Sequence, residues 1–170
     1  MSELGHSGLT YTEWNTHHAA WAIVSSPLVI GFDMTDSKLV DSVWPILSNL
    51  ELIEVNQAYF GFSGSLFSAA NATVNLCGAS DAAGTCADAA PAWMALYKPI
   101  DAARTAVLVI NNTPGALDLA FSFAAVPGLP CGSTCKVRDI TAQKDLGSFA
   151  GSYSRAAVAS HDSVFVMLSA

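Results

Sequence analysis

Asp33 is the side chain best placed to touch a ligand. It follows Leu28–Phe32 (LVIGF), a run that is short, branched and apolar on both faces, as in a parallel strand covered on both sides. An acid just past the carboxyl end of such a strand stands where α/β proteins put ligand-contacting groups. Asp-x-x-Asp/Ser is also helix-cap spacing, and position alone fits both readings.

The other reactive side chains carry less. Cys77 with Cys86 and Cys131 with Cys135 fall into two local pairs, which would close loops worth roughly 2–3 kcal/mol each on the loop-entropy model. A four-cysteine zinc site is the rival, but such sites favour C-x-x-C pairs and neither pair has that spacing. His17 and His18 are adjacent, so on a helix they point about 100° apart and cannot chelate one metal together. His18 reads as a packed, hydrogen-bonded histidine and His161 as a turn residue. Gly61-Phe62-Ser63-Gly64-Ser65 resembles a hydrolase nucleophile elbow, yet Ser65 stands where the last glycine must be; it reads as a linker. No Ser-His-Asp, Cys-His, phosphate-loop or paired-carboxylate arrangement emerges. Neither a metal nor a cofactor is expected.

The elements that must hold Asp33 begin with a helix. Thr10 and Glu13 have capping-box spacing, and Trp14, His18, Trp21 and Ala22 recur on one face that should be buried. Pro27 ends that helix, since it lacks an N–H and pushes Ser26 out of the α region. A shorter helix follows, with Asp41 or Ser42 as cap and Pro45 in its first turn. Glu51–Asn56 (ELIEVN) is a second strand candidate, although a short helix fits the same pattern.

Past the linker the hydrophobic period changes to two. Ala92–Lys98, Arg104–Ile110 and Ala116–Phe123 read as strands, the second central because it is apolar on both sides. Lys136–Thr141, Tyr153–Val158 and Ser163–Leu168 complete at least six, as in an antiparallel sandwich. Leu117, Leu119, Phe121 and Phe123 should point inward, Asp118 and Ser122 outward. The stretch Ala69–Ala90, rich in Ala, Gly, Ser and Asn, reads as a loop insertion pinned by Cys77 and Cys86.

Composition narrows the partners. With 52% hydrophobic and 12% charged residues the 170-residue chain has ample core material. A formal charge of −7 argues against nucleic acid or an anionic membrane as partner. Its longest apolar stretch, Ala19–Phe32, is broken by Ser25, Ser26 and Pro27 and falls short of the roughly 18 residues of a membrane span. The opening MSELGHSG is no secretory leader, whereas four cysteines and the sequons at Asn71 and Asn111 suggest an oxidising compartment.

Three separated motifs resemble the C-terminal part of the α-galactosidases (melibiases) of glycoside hydrolase family twenty-seven. MSELGHSGLTYTEWNTHHAAWAIVSSPLVIGFDM is similar to the segment after that family's acid/base motif, and SNLELIEVNQ to its last barrel strand. VRDITAQKDLGSFAGSYS with VASHDSVFVML resembles its closing sandwich. The resemblance implies the last strands and helices of a TIM (β/α)8 barrel over residues 1–62, with Leu28–Phe32 as strand seven and Glu51–Asn56 as strand eight. An antiparallel β-sandwich would follow over 63–170, with the insertion near 69–90. It also implies that Asp33 contacts sugar hydroxyls, with Met34 beside it, and that Cys131–Cys135 is a short-range disulfide.

The family's two catalytic aspartates map onto no residue here; the acid/base would stand just before Met1. Ala58-Tyr59 replace the Asp-Pro that usually follows Asn-Gln. The chain is therefore expected to be a truncated product or gene model begun at an internal methionine, inactive alone. Its full-length form would be a secreted or lysosomal/vacuolar retaining α-galactosidase acting on a galactoside or related sugar. The alternative is a non-catalytic carbohydrate-binding or structural sandwich. A bare barrel remnant, with Leu28, Ile30, Trp14 and Trp21 uncovered, should self-associate.

Overall fold

In a computed structural model, residues 4–5, 8–75 and 88–170 are described. Cys77 and Cys86, and most of the expected insertion, lie outside them. Three helices, α1 (Tyr11–Ile23), α2 (Ser37–Leu47) and α3 (Leu50–Gln57), precede ten strands. The strands are β1 (Ser65–Ala69), β2 (Thr73–Asn75), β3 (Ala89–Pro91), β4 (Trp93–Pro99), β5 (Arg104–Asn111), β6 (Leu117–Ser122), β7 (Thr134–Asp139), β8 (Lys144–Ala150), β9 (Ser152–Val158) and β10 (Ser163–Ser169).

A six-stranded sheet of order β1-β4-β5-β10-β7-β8 carries the fold, and its pairings are antiparallel. β6 pairs with β9 in the facing layer. Strand alternation sorts the apolar side chains between two cores. Val107 and Val109 of β5, and Val164, Val166 and Leu168 of β10, meet Leu119, Phe121 and Tyr153 of the β6–β9 pair. On the opposite face Ala106, Leu108, Phe165 and Met167 meet Ala19, Ala22 and Ile23 of α1 and Leu52 and Val55 of α3. This is why β5 is apolar on both sides: a strand layer covers one face and helices the other. Leu119, Phe121 and Phe123 are buried and Asp118 and Ser122 exposed, as the alternation predicts.

The mostly-β sandwich with three helices agrees with the expected C-terminal domain, while the two expected barrel strands do not form. Residues 50–57 are helical because Asn49 caps them, accepting from the N–H groups of Glu51 and Leu52. Leu28–Phe32 holds only an isolated bridge at Ile30, and Val29 and Ile30 are exposed. A strand needs a neighbour to satisfy its ladder, and none of the six sheet strands flanks this segment.

Helix boundaries shift for local reasons. Thr10 and Glu13 form the capping box. α1 stops at Ile23, with Ser25 in the left-handed region at φ 58°, before Pro27 can act. α2 starts at Ser37, capped by Asp36 rather than Asp41 or Ser42, and so carries Pro45 in its last turn. The predicted face of α1 is rotated: His18 and Ala22 are buried, whereas Trp14 and Trp21 are half-buried. The first helices thus share a core with the sheet.

Gly64 joins the helices to β1. Its N–H donates to the Ile23 carbonyl at 2.9 Å, and a Cβ there would run into that same carbonyl. Gly64→Ala is expected to cost about 2 kcal/mol, because neither the helix end nor the strand can retreat from backbone. Denaturant midpoints of the two proteins check this.

Candidate functional site

Asp33 lies on an exposed loop that is anchored at both ends. Upstream, the Asn56 Nδ2 donates to the Ser26 carbonyl at 2.8 Å. Lys98 of β4, itself buried, donates from Nζ to the Ser25 hydroxyl at 2.7 Å, to the Asn56 carbonyl at 3.2 Å and to the Val55 carbonyl. Downstream, Phe32 packs beside Leu4, Val43 and Ile46, and Asp36 caps α2. Between these anchors Asp33 and Met34 face solvent, Met34 at 52% exposure.

The Asp33 carboxylate accepts from the Thr35 N–H at 2.8 Å and the Thr35 hydroxyl at 2.7 Å, both on Oδ1. These bonds hold its carboxyl below the usual aspartate range. Among the described residues Asp33 Oδ2 accepts no hydrogen bond, so one acceptor oxygen stays available to a hydroxyl. Asp33 is not the α2 cap; Asp36 fills that role. The loop can therefore present a fixed anion to a polyhydroxylated ligand. Asp36, the other carboxylate of the loop, is committed to the helix N–H groups of Lys38 and Leu39.

The other candidates are dispersed. His17 Nε2 accepts from Trp21 Nε1 at 2.6 Å. His18 is 2% exposed, and burial, then the neighbouring His17, pull its pKa down to about 4. His161 sits in the β9–β10 turn at φ 57°. Among the described residues no group of His, Cys, Asp and Glu could hold a metal. Cys131 and Cys135 are joined in a disulfide.

The sequon at Asn111 must be corrected as a glycan acceptor. Asn111 is fully buried, and its Nδ2 donates to the carbonyls of Gly115, Val158 and Ala159 at 2.8, 3.1 and 2.9 Å. Thr113 closes the turn by donating its N–H and hydroxyl to Asn111 Oδ1. The Asn-x-Thr spacing here builds a turn, and a glycan has no route to that nitrogen in the folded chain. Asn71 is exposed in a bend.

Sequence reasoning missed Lys98 and the ion pairs that tie α3 to the sheet. The signal was present: Met94, Leu96 and Lys98 share one strand face, and Leu96 packs on the helix-side core. A lysine continuing that face must bring its ammonium to buried acceptors. Glu51 binds Arg138 through two bonds at 2.9 and 2.6 Å, and Glu54 binds Arg104 at 2.8 Å. Three residues apart on α3, these acids meet strand residues 87 and 50 positions away, which no local pattern encodes.

Comparison with known proteins places these features. Residues 93–168 match the family model described as the alpha galactosidase C-terminal beta sandwich domain. The α-galactosidase of Coffea arabica is 30% identical over 168 residues, covering 99% of this chain and 38% of that protein. The crystal structure of α-galactosidase I from Mortierella vinacea superposes with a TM-score of 0.78 at 20% identity, over 99% of this chain and 38% of that one. A GH27 β-L-arabinopyranosidase from Geobacillus stearothermophilus gives 0.75 at 20% identity, over 95% and 31%. The chain thus spans well under half the length of the relatives it matches.

Proposed function

Because the chain belongs, as a C-terminal part, to the α-galactosidases of glycoside hydrolase family twenty-seven, we propose that it is the non-catalytic platform of such an enzyme. In this reading the sandwich and helices hold the Asp33 loop at the rim of a sugar pocket. The observation that carries it is the loop itself: one exposed carboxylate, oriented by Thr35 and anchored at both ends. Asp33 Oδ2 would accept from a sugar hydroxyl, and Met34 would pack beside the ring.

The two carboxylates that a retaining glycosidase sets about 5–5.5 Å apart would come from outside these residues. Val29, Ile30, Trp44 and Leu50 are all exposed, and we assign that apolar surface to contact with the remainder of the barrel. In the isolated chain the same surface would drive self-association. The full-length protein would be secreted or lysosomal/vacuolar and would act on a terminal galactoside or related sugar.

The test is a hybrid in which this chain replaces the matching part of the Coffea arabica enzyme. The hybrid should hydrolyse an aryl α-galactoside, and Asp33→Ala should lower kcat/KM at least about tenfold, the worth of a hydrogen bond to a charged group. A folded but inactive hybrid would count against the platform role. Unchanged activity in Asp33→Ala would count against the sugar contact.

A further inference from the structure

A groove of about 500 Å³ runs beside α3 on the helix-covered face of the sheet. None of its lining residues lies in the Asp33 loop. The strand register explains its chemistry. Arg104 of β5 pairs with Ser169 of β10, Ser169 with Lys136 of β7, and Lys136 with Ser148 of β8. With neighbouring strands about 4.8 Å apart, these four side chains form one row across the sheet. Met167 lies in the adjacent row and gives the groove an apolar strip.

Most of this row is uncommitted. Lys136, Ser148 and Ser169 make no side-chain hydrogen bond or ion pair among the described residues, whereas Arg104 spends Nε on Asp101 and one Nη2 donor on Glu54. A guanidinium has five N–H groups, so the Nη1 donors remain. Acceptors come from Glu54 on α3 and from Asp145 of β8, which stands beside Arg138 in the sheet.

Charge decides the ligand class. Glu51, Glu54, Asp101 and Asp145 face Arg104, Lys136 and Arg138, so the anions outnumber the cations by one. The arginines are already neutralised by those acids. Such a groove offers directional donors and acceptors without a field that favours a charged ligand. Each hydroxyl of a sugar both donates and accepts, and a pyranose also has an apolar face for Met167.

We propose that this groove binds a neutral oligosaccharide at a site separate from the Asp33 loop, through the Arg104–Ser169–Lys136–Ser148 row. The choice of a sugar among polyols rests on the glycosidase reading above; the placement of the site does not.

Titration of the isotope-labelled chain with raffinose, followed by amide NMR, tests the proposal. Millimolar binding should shift the amides of Lys136, Ser148 and Ser169. Lys136→Met and Ser169→Ala should each weaken binding at the row severalfold. No shifts in the row, shifts confined to the Asp33 loop, or an unchanged dissociation constant in Lys136→Met would overturn the proposal. Tighter binding of galacturonate than of galactose would do so as well, since the row would then be an anion site. Loss of hydrolysis in the Asp33→Ala hybrid bears only on the pocket, so the two readings fail independently.

Discussion

Replacing Lys98 with methionine is expected to destabilise the chain by about 3 kcal/mol, as befits buried acceptors stripped of their donor. The Lys98 ammonium is fully buried, and burial pulls its pKa below the usual lysine range. Among the described residues no carboxylate pairs with it. Its partners are the carbonyls of Val55 and Asn56, at the end of α3 where the helix dipole is negative, and the Ser25 hydroxyl. Methionine keeps the length and apolar stem but leaves those oxygens dry and unpaired. Relief from desolvating the charge offsets part of the loss.

The loss should also be local. Hydrogen exchange should speed up at the end of α3 and through residues 25–34, while β5 and β10 keep their protection. Uniform loosening of the whole sheet would show that Lys98 is an ordinary core residue rather than a staple holding the Asp33 loop.

Acidification from pH 6.5 to 4 is expected to remove about 3 kcal/mol through His18 alone, at 1.36 kcal/mol per pKa unit. Its pKa falls from the ordinary 6.5 to about 4 in the folded chain, chiefly by burial. Above pH 6.5 the imidazole is neutral both folded and unfolded, so it costs nothing. Below that value the unfolded chain takes up a proton that the folded chain refuses, so stability falls until the folded imidazole also protonates near 4. His18→Gln should abolish this part of the slope, as read from denaturant unfolding at a series of pH values. A slope equal in both proteins would remove His18 from the account.

These two residues mark where sequence reading succeeds and where it stops. His18 was legible because helical period put it on a buried face beside Ala22, a local relation. The β5 strand was legible as central because five consecutive residues, Ala106 to Ile110, carry no polar group that a face could expose, and both faces prove covered. Glu51–Asn56 fits strand and short helix alike by pattern: Ile53 and Val55 suit either state, and the cap at Asn49 decides for helix. The edge strand β8 escaped notice because its burial is slight and its sequence, KDLGSFA, holds little alternation.

The site was legible in part. The position of Asp33 after an apolar run suggested a ligand contact, but the run joins none of the sheets among the described residues, and Val29 and Ile30 are exposed. Asn111 shows the converse error, since a motif defined by three residues says nothing about whether the nitrogen reaches solvent. Long-range staples such as Lys98 and the Glu51–Arg138 pair depend on strand order, which periodicity does not carry.

The platform reading stands or falls on one assay: hydrolysis of an aryl α-galactoside by the purified chain with nothing added. The account predicts a rate indistinguishable from buffer for both the chain and its Asp33→Ala variant. Turnover that persists through purification and disappears when one of the chain's own acids is replaced would contradict it.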